Sequence, residues 1–168
     1  GSSDAPELMT VVRNRCSPQT TGDALISSEG ALRRSEALLN ATQQLSKVGG
    51  WEWNVEKQTM FWTEEAYRIH DFVQGELVPG TPEHIEKSLA CYEPTDRPAI
   101  LQAFQRCVEF GEPYDLELPF TTALGRRLWV RTTACPVYDS GRIVSVIGNI
   151  MDITEHKEDQ AQLIESER

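Results

Sequence analysis

Two adjacent carboxylates, three histidines and four cysteines carry most of the reactive chemistry available to this 168-residue chain. Paired carboxylates can divide acid and base roles between them. Glu64-Glu65, however, follow Thr63 at what reads as a helix start, where negative charge simply favours the positive end of the helix dipole. Cys16, Cys91, Cys107 and Cys135 are widely spaced and include no C-x-x-C pair, so they give neither a zinc-binding nor a redox spacing. Free thiols in a reducing compartment are the expectation. His70 and His84 stand alone and read as solvent-facing. The chain contains no G-x-S-x-G, P-loop, H-E-x-x-H or G-x-G-x-x-G motif. The expectation is therefore a non-enzymatic chain, with any catalysis in a separate domain.

Bulk composition narrows the partners. A net charge of −10 repels both nucleic acid and anionic lipid, and Arg126-Arg127 is the one basic candidate in the core. That pair reads as flanking a solvent-exposed hairpin turn. No apolar run approaches the roughly 18 residues needed to cross a bilayer, and no signal peptide is visible. A cytoplasmic location without membrane contact follows as the expectation.

The elements come next. Residues 1–26 are polar and read as a linker. Over 27–48, Leu25, Leu32 and Leu39 recur every seven residues with Leu38 and Leu45 beside them, which predicts an amphipathic helix stopped by Gly49-Gly50. Period two then takes over: Trp51, Trp53 and Val55 alternate with Glu52 and Asn54, and a turn at Glu56-Lys57-Gln58 leads to a second short strand, Thr59 to Trp62. A short helix reaches about Phe72, another starts at Thr81-Pro82-Glu83, and a third follows Pro94-Thr95-Asp96-Arg97-Pro98 until Gly111. Three strands close the series, Tyr114 to Thr121, Arg127 to Tyr138 and Arg142 to Met151, joined by Gly-containing hairpin turns. The order predicts an α+β domain: a five-stranded antiparallel sheet with helices on one face.

That order, with particular residues, resembles the PAS (Per-Arnt-Sim) family, in the subgroup common in bacterial sensor histidine kinases. Val48-Gly49-Gly50-Trp51-Glu52-Trp53-Asn54 is similar to the family's G-x-W-x-W/F-D/N opening. Phe61-Trp62-Thr63 through Tyr67-Arg68-Ile69 resembles its second strand and following helix. Glu93-Pro94-Thr95-Asp96-Arg97 resembles the H-P-D-D-R before the long helix. Gly125-Arg126-Arg127-Leu128-Trp129, Asp139-Ser140-Gly141-Arg142 and Gly148-Asn149-Ile150-Met151-Asp152-Ile153-Thr154 match the remaining landmarks. The resemblance covers about 48–156, with the core at 49–155 and a signalling helix over 156–168. Pro119 departs from the family's usual Arg, and without an N–H it predicts a bulge or a sheet edge.

Such a fold cups a pocket between sheet and helices. The candidate ligand-binding residues are Phe61, Tyr67, His70, Phe72, Phe104, Leu118, Val130, Thr132, Val146 and Asn149; ordinary core packing is the competing reading for the apolar ones. The helix from Pro98 to Phe110 has no His, so the haem variant is not supported. Neither Cys91 nor Cys107 has the N-C-R-F-like neighbours of a covalent-adduct flavin site. A non-covalent flavin or a small metabolite stays open.

The resemblance implies that Asp152 and Thr154 pin the exit helix near Gly50 and Trp51. Burying each of Leu25, Leu32 and Leu39 is worth up to roughly 1.5–3 kcal/mol, so the N-terminal stripe must cover something: its own sheet, or a parallel homodimer partner. A homodimer through Leu25, Leu32, Leu38, Leu39 and Leu45 is the preferred reading. Leu32-Arg33-Arg34-Ser35-Glu36 and Leu163-Ile164-Glu165-Ser166-Glu167 share L-x-x-S-E, which suggests neighbouring sensor domains in tandem. The function implied is a sensory relay domain of a multi-domain sensor histidine kinase or cyclic-dinucleotide enzyme. The alternative is a ligand-free dimerisation module.

Overall fold

A computed structural model describes residues 18–168. Cys16 and the first 17 residues of the expected linker lie outside the described residues. The chain divides into two units, the first reaching Ala37 and the second running from Leu38 to Arg168. In the first unit the chain is helical where a linker was expected over 18–26: α1 spans Pro18–Ser46. The leucine phase already includes Leu25, and Pro is tolerated in the first turn of a helix, where its missing N–H has no intrahelical partner to lose. Leu25, Ile26 and Leu32 of this unit are exposed.

The second unit holds the last turns of α1 and all of the sheet. Its elements are β1 (Val48–Asn54), β2 (Thr59–Trp62), α2 (Glu64–His70), α3 (Pro82–Ala90), α4 (Arg97–Phe110), β3 (Tyr114–Thr121), β4 (Arg127–Asp139), β5 (Arg142–Asp152) and α5 (Thr154–Ser166). The five strands are antiparallel in the order β2-β1-β5-β4-β3. The family-like arrangement expected from the element order is the one found, with α5 starting two residues earlier than expected.

Local chemistry sets the boundaries. Thr81 caps α3 by accepting from the His84 N–H, with Pro82 in the first turn. Gly111 ends α4 at φ 72°, and a Cβ there would strike the Tyr138 hydroxyl. Ser140 and Gly141 both have positive φ and turn β4 into β5.

β3 is an edge strand, and Pro119 sits in it without a bulge, opposite Trp129. The Thr121 N–H points away from the ladder to the Cys91 carbonyl at 2.8 Å. Two residues earlier, the Pro119 nitrogen faces the same outward side, so no ladder hydrogen bond is forfeited. Arg126 and Arg127 are exposed at the β3–β4 turn, as expected, and Arg126 also forms a bidentate pair with Asp71 at 2.8 and 2.9 Å, tying the β3–β4 hairpin to the end of α2.

Candidate functional site

Strand register assigns each side chain to a face. Trp51 pairs with Trp62 and Gly148, Trp53 with Met60 and Val146, and Thr132 with Ile150, which puts all of them on the face covered by α2, α3 and α4. Gly148 lets the Trp51 ring lie directly over the β5 backbone, because a Cβ at 148 would collide with that ring and with the Thr133 carbonyl. Beneath the helices this face leaves a cavity of about 290 Å³. That is room for roughly ten waters, at the small end of ligand pockets.

The cavity is aromatic with a few polar groups. Trp51, Trp53, Trp62, Tyr92, Phe104 and Tyr114 line it, together with His70, His84, Ser88, Gln105 and Thr132. Phe104 of α4 meets both Trp51 and Trp53, with ring centroids 6.0 and 5.9 Å apart. Trp62 stands between the two imidazoles, 4.3 Å from His70 and 4.4 Å from His84. Among the described residues, no Lys, Arg, Asp or Glu lines this space.

Both histidines are buried, at 3% and 1% exposure, which corrects the solvent-facing expectation. Helices α2 and α3 turn them inward onto Trp62. Burial lowers the His70 pKa to about 4, with His84 adding to the effect and the Ala66 carbonyl and Asp71 opposing it. Burial also lowers the His84 pKa. Both rings are therefore neutral at pH 7, and their partners fix the tautomers. His70 Nδ1 lies 2.7 Å from the Ala66 carbonyl and so donates, leaving Nε2 to accept from Ser88 Oγ at 3.4 Å. His84 Nδ1 accepts from the Gly80 N–H at 3.2 Å, so its proton is on Nε2. That Nε2–H is buried and has no partner. An unpaired buried donor costs about 1–3 kcal/mol, and the imidazole packs edge-on against the Trp62 ring.

Of the expected ligand-binding residues, His70, Phe104 and Thr132 line the cavity, and so does Trp51. Phe61 does not: it is 65% exposed, because β2 alternates and turns Met60 and Trp62 inward instead. Asn149 is also on the outer face, where its Oδ1 accepts from Thr133 Oγ1 at 2.8 Å. Tyr67, Val130 and Val146 are buried in the core, and Phe72 and Leu118 pack against it without reaching the space. Sequence reasoning missed Trp53, Met60, Trp62, His84, Tyr92 and Tyr114. The signal for four of these was strand parity, since residues paired with Trp51, Trp53 and Thr132 must share their face.

The described cysteines lie elsewhere. Cys91 is buried with its thiol pKa pushed up to about 11 by burial, Cys107 is fully buried, and Cys135 is exposed. None of these three lines the cavity.

The expected junction is also well defined. Asp152 Oδ1 accepts from the Thr154 N–H at 3.0 Å and from Thr154 Oγ1 at 2.6 Å. Thr154 Oγ1 in turn accepts from the Trp129 N–H at 3.0 Å, and the Ile153 N–H donates to the Trp129 carbonyl at 2.8 Å. The start of α5 is thus held on β4. The Asp152 N–H donates to the Lys47 carbonyl at 3.0 Å, and Lys47 Nζ lies 3.4 Å from Glu155. The link toward Gly50 and Trp51 is thus made by Lys47, just before β1. Gly50 itself is fixed to Thr63 by a pair of 2.9 Å hydrogen bonds.

Comparison with known proteins agrees with this architecture. The family model described as PAS fold matches residues 59–150. A blue-light-activated histidine kinase of Brucella ovis is 29% identical over 128 residues, covering 76% of this chain and 24% of that protein. The chain thus spans about a quarter of the curated relatives it matches. A sensory box histidine kinase/response regulator structure from Burkholderia thailandensis superimposes with a TM-score of 0.56 at 25% identity, covering 77% of this chain and 94% of that one. The N-terminal domain of a diguanylate cyclase with PAS/PAC sensor from Marinobacter aquaeolei has a TM-score of 0.55 at 17% identity, covering 66% and 98%.

Proposed function

The chain belongs to the PAS fold family of sensory signal-transduction domains, and from that premise we propose that it passes a change in its cavity to the helices on either side of its sheet. The observation that carries this reading is the knot at Asp152. One residue there is bonded to the last residue before β1 and to the first turn of α5. Trp51, a cavity wall, is on β1 four residues after Lys47 and lies against β5 four residues before Asp152. Displacing that ring loads both connections at once.

The relatives described as histidine kinases and as a diguanylate cyclase support an output of either kind, in a separate domain of a longer bacterial protein. The domain itself has no catalytic role in this reading. It works in the cytoplasm without nucleic-acid or lipid contact, beside neighbouring sensor or output domains, and the L-x-x-S-E echo supports a tandem array. Light chemistry through a thiol adduct is not carried over from the blue-light relative, since the three described cysteines all lie outside the cavity.

A second reading concerns α1. Leu25, Leu32, Leu38, Leu39 and Leu45 are all more than half exposed. Such a stripe supports a parallel homodimer, which would also serve a ligand-free relay module.

The relay is tested in a fusion that continues α5 into a histidine-kinase output. Thr154→Val removes the bridge between Asp152 and Trp129 while keeping side-chain shape. Autophosphorylation is expected to change several-fold from wild type, with Glu158→Gln on the exposed face of α5 as an unchanged control. An output equal to wild type in the Thr154 variant refutes the reading.

A further inference from the structure

We propose that Lys157 is the positioning residue of the exit helix: its ammonium, set between the Trp129 ring and the Glu117 carboxylate, fixes the direction in which α5 leaves the sheet. The inference rests on the relay reading above and names the contact that regulates it.

Two points are needed to aim a rod, and α5 has two. The first is the knot at Asp152, where the Thr154 hydroxyl and the Ile153 N–H are bonded to the backbone of Trp129. That anchor alone leaves the helix able to pivot. The second is Lys157, one turn and about 4.5 Å further along the axis, on the same side as Thr154. Its ammonium lies 5.2 Å from the centre of the Trp129 ring and 2.5 Å from Glu117 Oε2, so it reaches from β4 to the outermost strand. From 158 onward every residue of α5 is exposed, whereas the Lys157 side chain keeps only 30% of its surface. Lys157 is where the helix parts from the domain.

The charge pattern singles out the same contact. Lys157 is the only Lys or Arg in α5, on a helix whose Glu155, Glu158 and Asp159 are exposed. Arg131 stands opposite Glu117 in the ladder but gives its guanidinium to Asp115 at 2.8 Å, which leaves Glu117 for Lys157. A partly exposed ion pair and one cation–π contact together shift the docked-to-released ratio by only about tenfold. A contact of that size aims the helix and still yields to a comparable strain arriving through β5.

Lys157→Met keeps the stem over the ring and removes the charge, while Lys157→Arg keeps the charge. Residual dipolar couplings, measured on the chain by NMR, read the direction of α5 itself. In wild type and Lys157→Arg the α5 amides are expected to fit the alignment of the sheet. In Lys157→Met they should lose that fit while the sheet amides keep theirs, and about 0.5 M salt should bring on part of the same loss in wild type. In the kinase fusion, Lys157→Met should change autophosphorylation several-fold and Lys157→Arg should not. Couplings that still fit in Lys157→Met, or that are lost equally in Lys157→Arg, overturn the proposal and leave an inert surface pair. If that happens while Thr154→Val alters the fusion's output, the positioning role falls and the relay stands. If Lys157→Met releases α5 and neither variant alters the output, the relay falls and the positioning role stands.

Discussion

Acid should weaken this fold well before its carboxylates titrate, and His70 is the reason. The ring is buried between Trp62 and Phe120, and its pKa in the folded chain is about 4 against an ordinary value of 6.5. Below pH 6.5 the unfolded chain takes up a proton that the folded chain refuses until about pH 4. The stability associated with neutral His70 is therefore complete above pH 6.5 and is lost as pH falls toward 4. Between pH 7 and pH 5 the linkage relation gives a loss of about 2 kcal/mol from this residue alone. His84, also lowered by burial, adds in the same direction. Asp71 does not contribute in this window: held below the usual carboxylate range by Arg126, it is ionised in both states, and its stabilising effect disappears only at lower pH. The assay is urea unfolding followed by tryptophan fluorescence at pH 7, 6 and 5, for wild type and His70→Phe. The variant gives up the bond to Ala66, so its stability at pH 7 will differ, but its pH dependence should be shallower by about 2 kcal/mol across the range. Parallel pH profiles for the two proteins, or an NMR titration of His70 with a midpoint near 6.5, refute the reasoning.

Two other outcomes follow from packing. Gly148→Ala places a methyl against the Trp51 ring and the Thr133 carbonyl, and such overpacking should cost about 1–3 kcal/mol, seen as a lower urea midpoint at unchanged slope; a midpoint equal to wild type contradicts the close approach of Trp51. If α1 pairs through its leucines, Leu32→Lys with Leu39→Lys should convert a dimer to a monomer in light scattering, while wild type that is already monomeric at high micromolar concentration removes that reading.

Much of the fold was legible because its punctuation is chemical. Thr81-Pro82, Gly111 and Ser140-Gly141 mark boundaries that backbone sterics enforce, and the alternation at Trp51 and Trp53 marks a strand without reference to any partner. The cavity was less legible. Period two says that Phe61 and Trp62 face opposite ways but not which of them faces the helices, and the choice of Phe61 and Asn149 took the wrong phase. Only the pairing of Trp51 with both Trp62 and Gly148 fixes it. His84 was missed for a different reason. A lone histidine is commonplace in a sequence, and its importance comes from Gly80 engaging one nitrogen while packing leaves the other unpaired. The polar start of α1 concealed a helix whose identity lies in its leucine spacing.

Pro119 also bears on how copies of this domain can sit side by side. A sheet edge recruits foreign strands by offering a row of free amide donors. On the β3 edge, Pro119 removes one donor, and the bridge from Tyr92 to Phe120, with the Thr121 amide bonded to Cys91, occupies the next stretch. The opposite edge is β2, only four residues long. Neither rim makes a good template for cross-pairing with the sheet of a second copy. Any contact between two copies would then fall to the helices and to the exposed side chains of the sheet, such as Phe61 and Ile147.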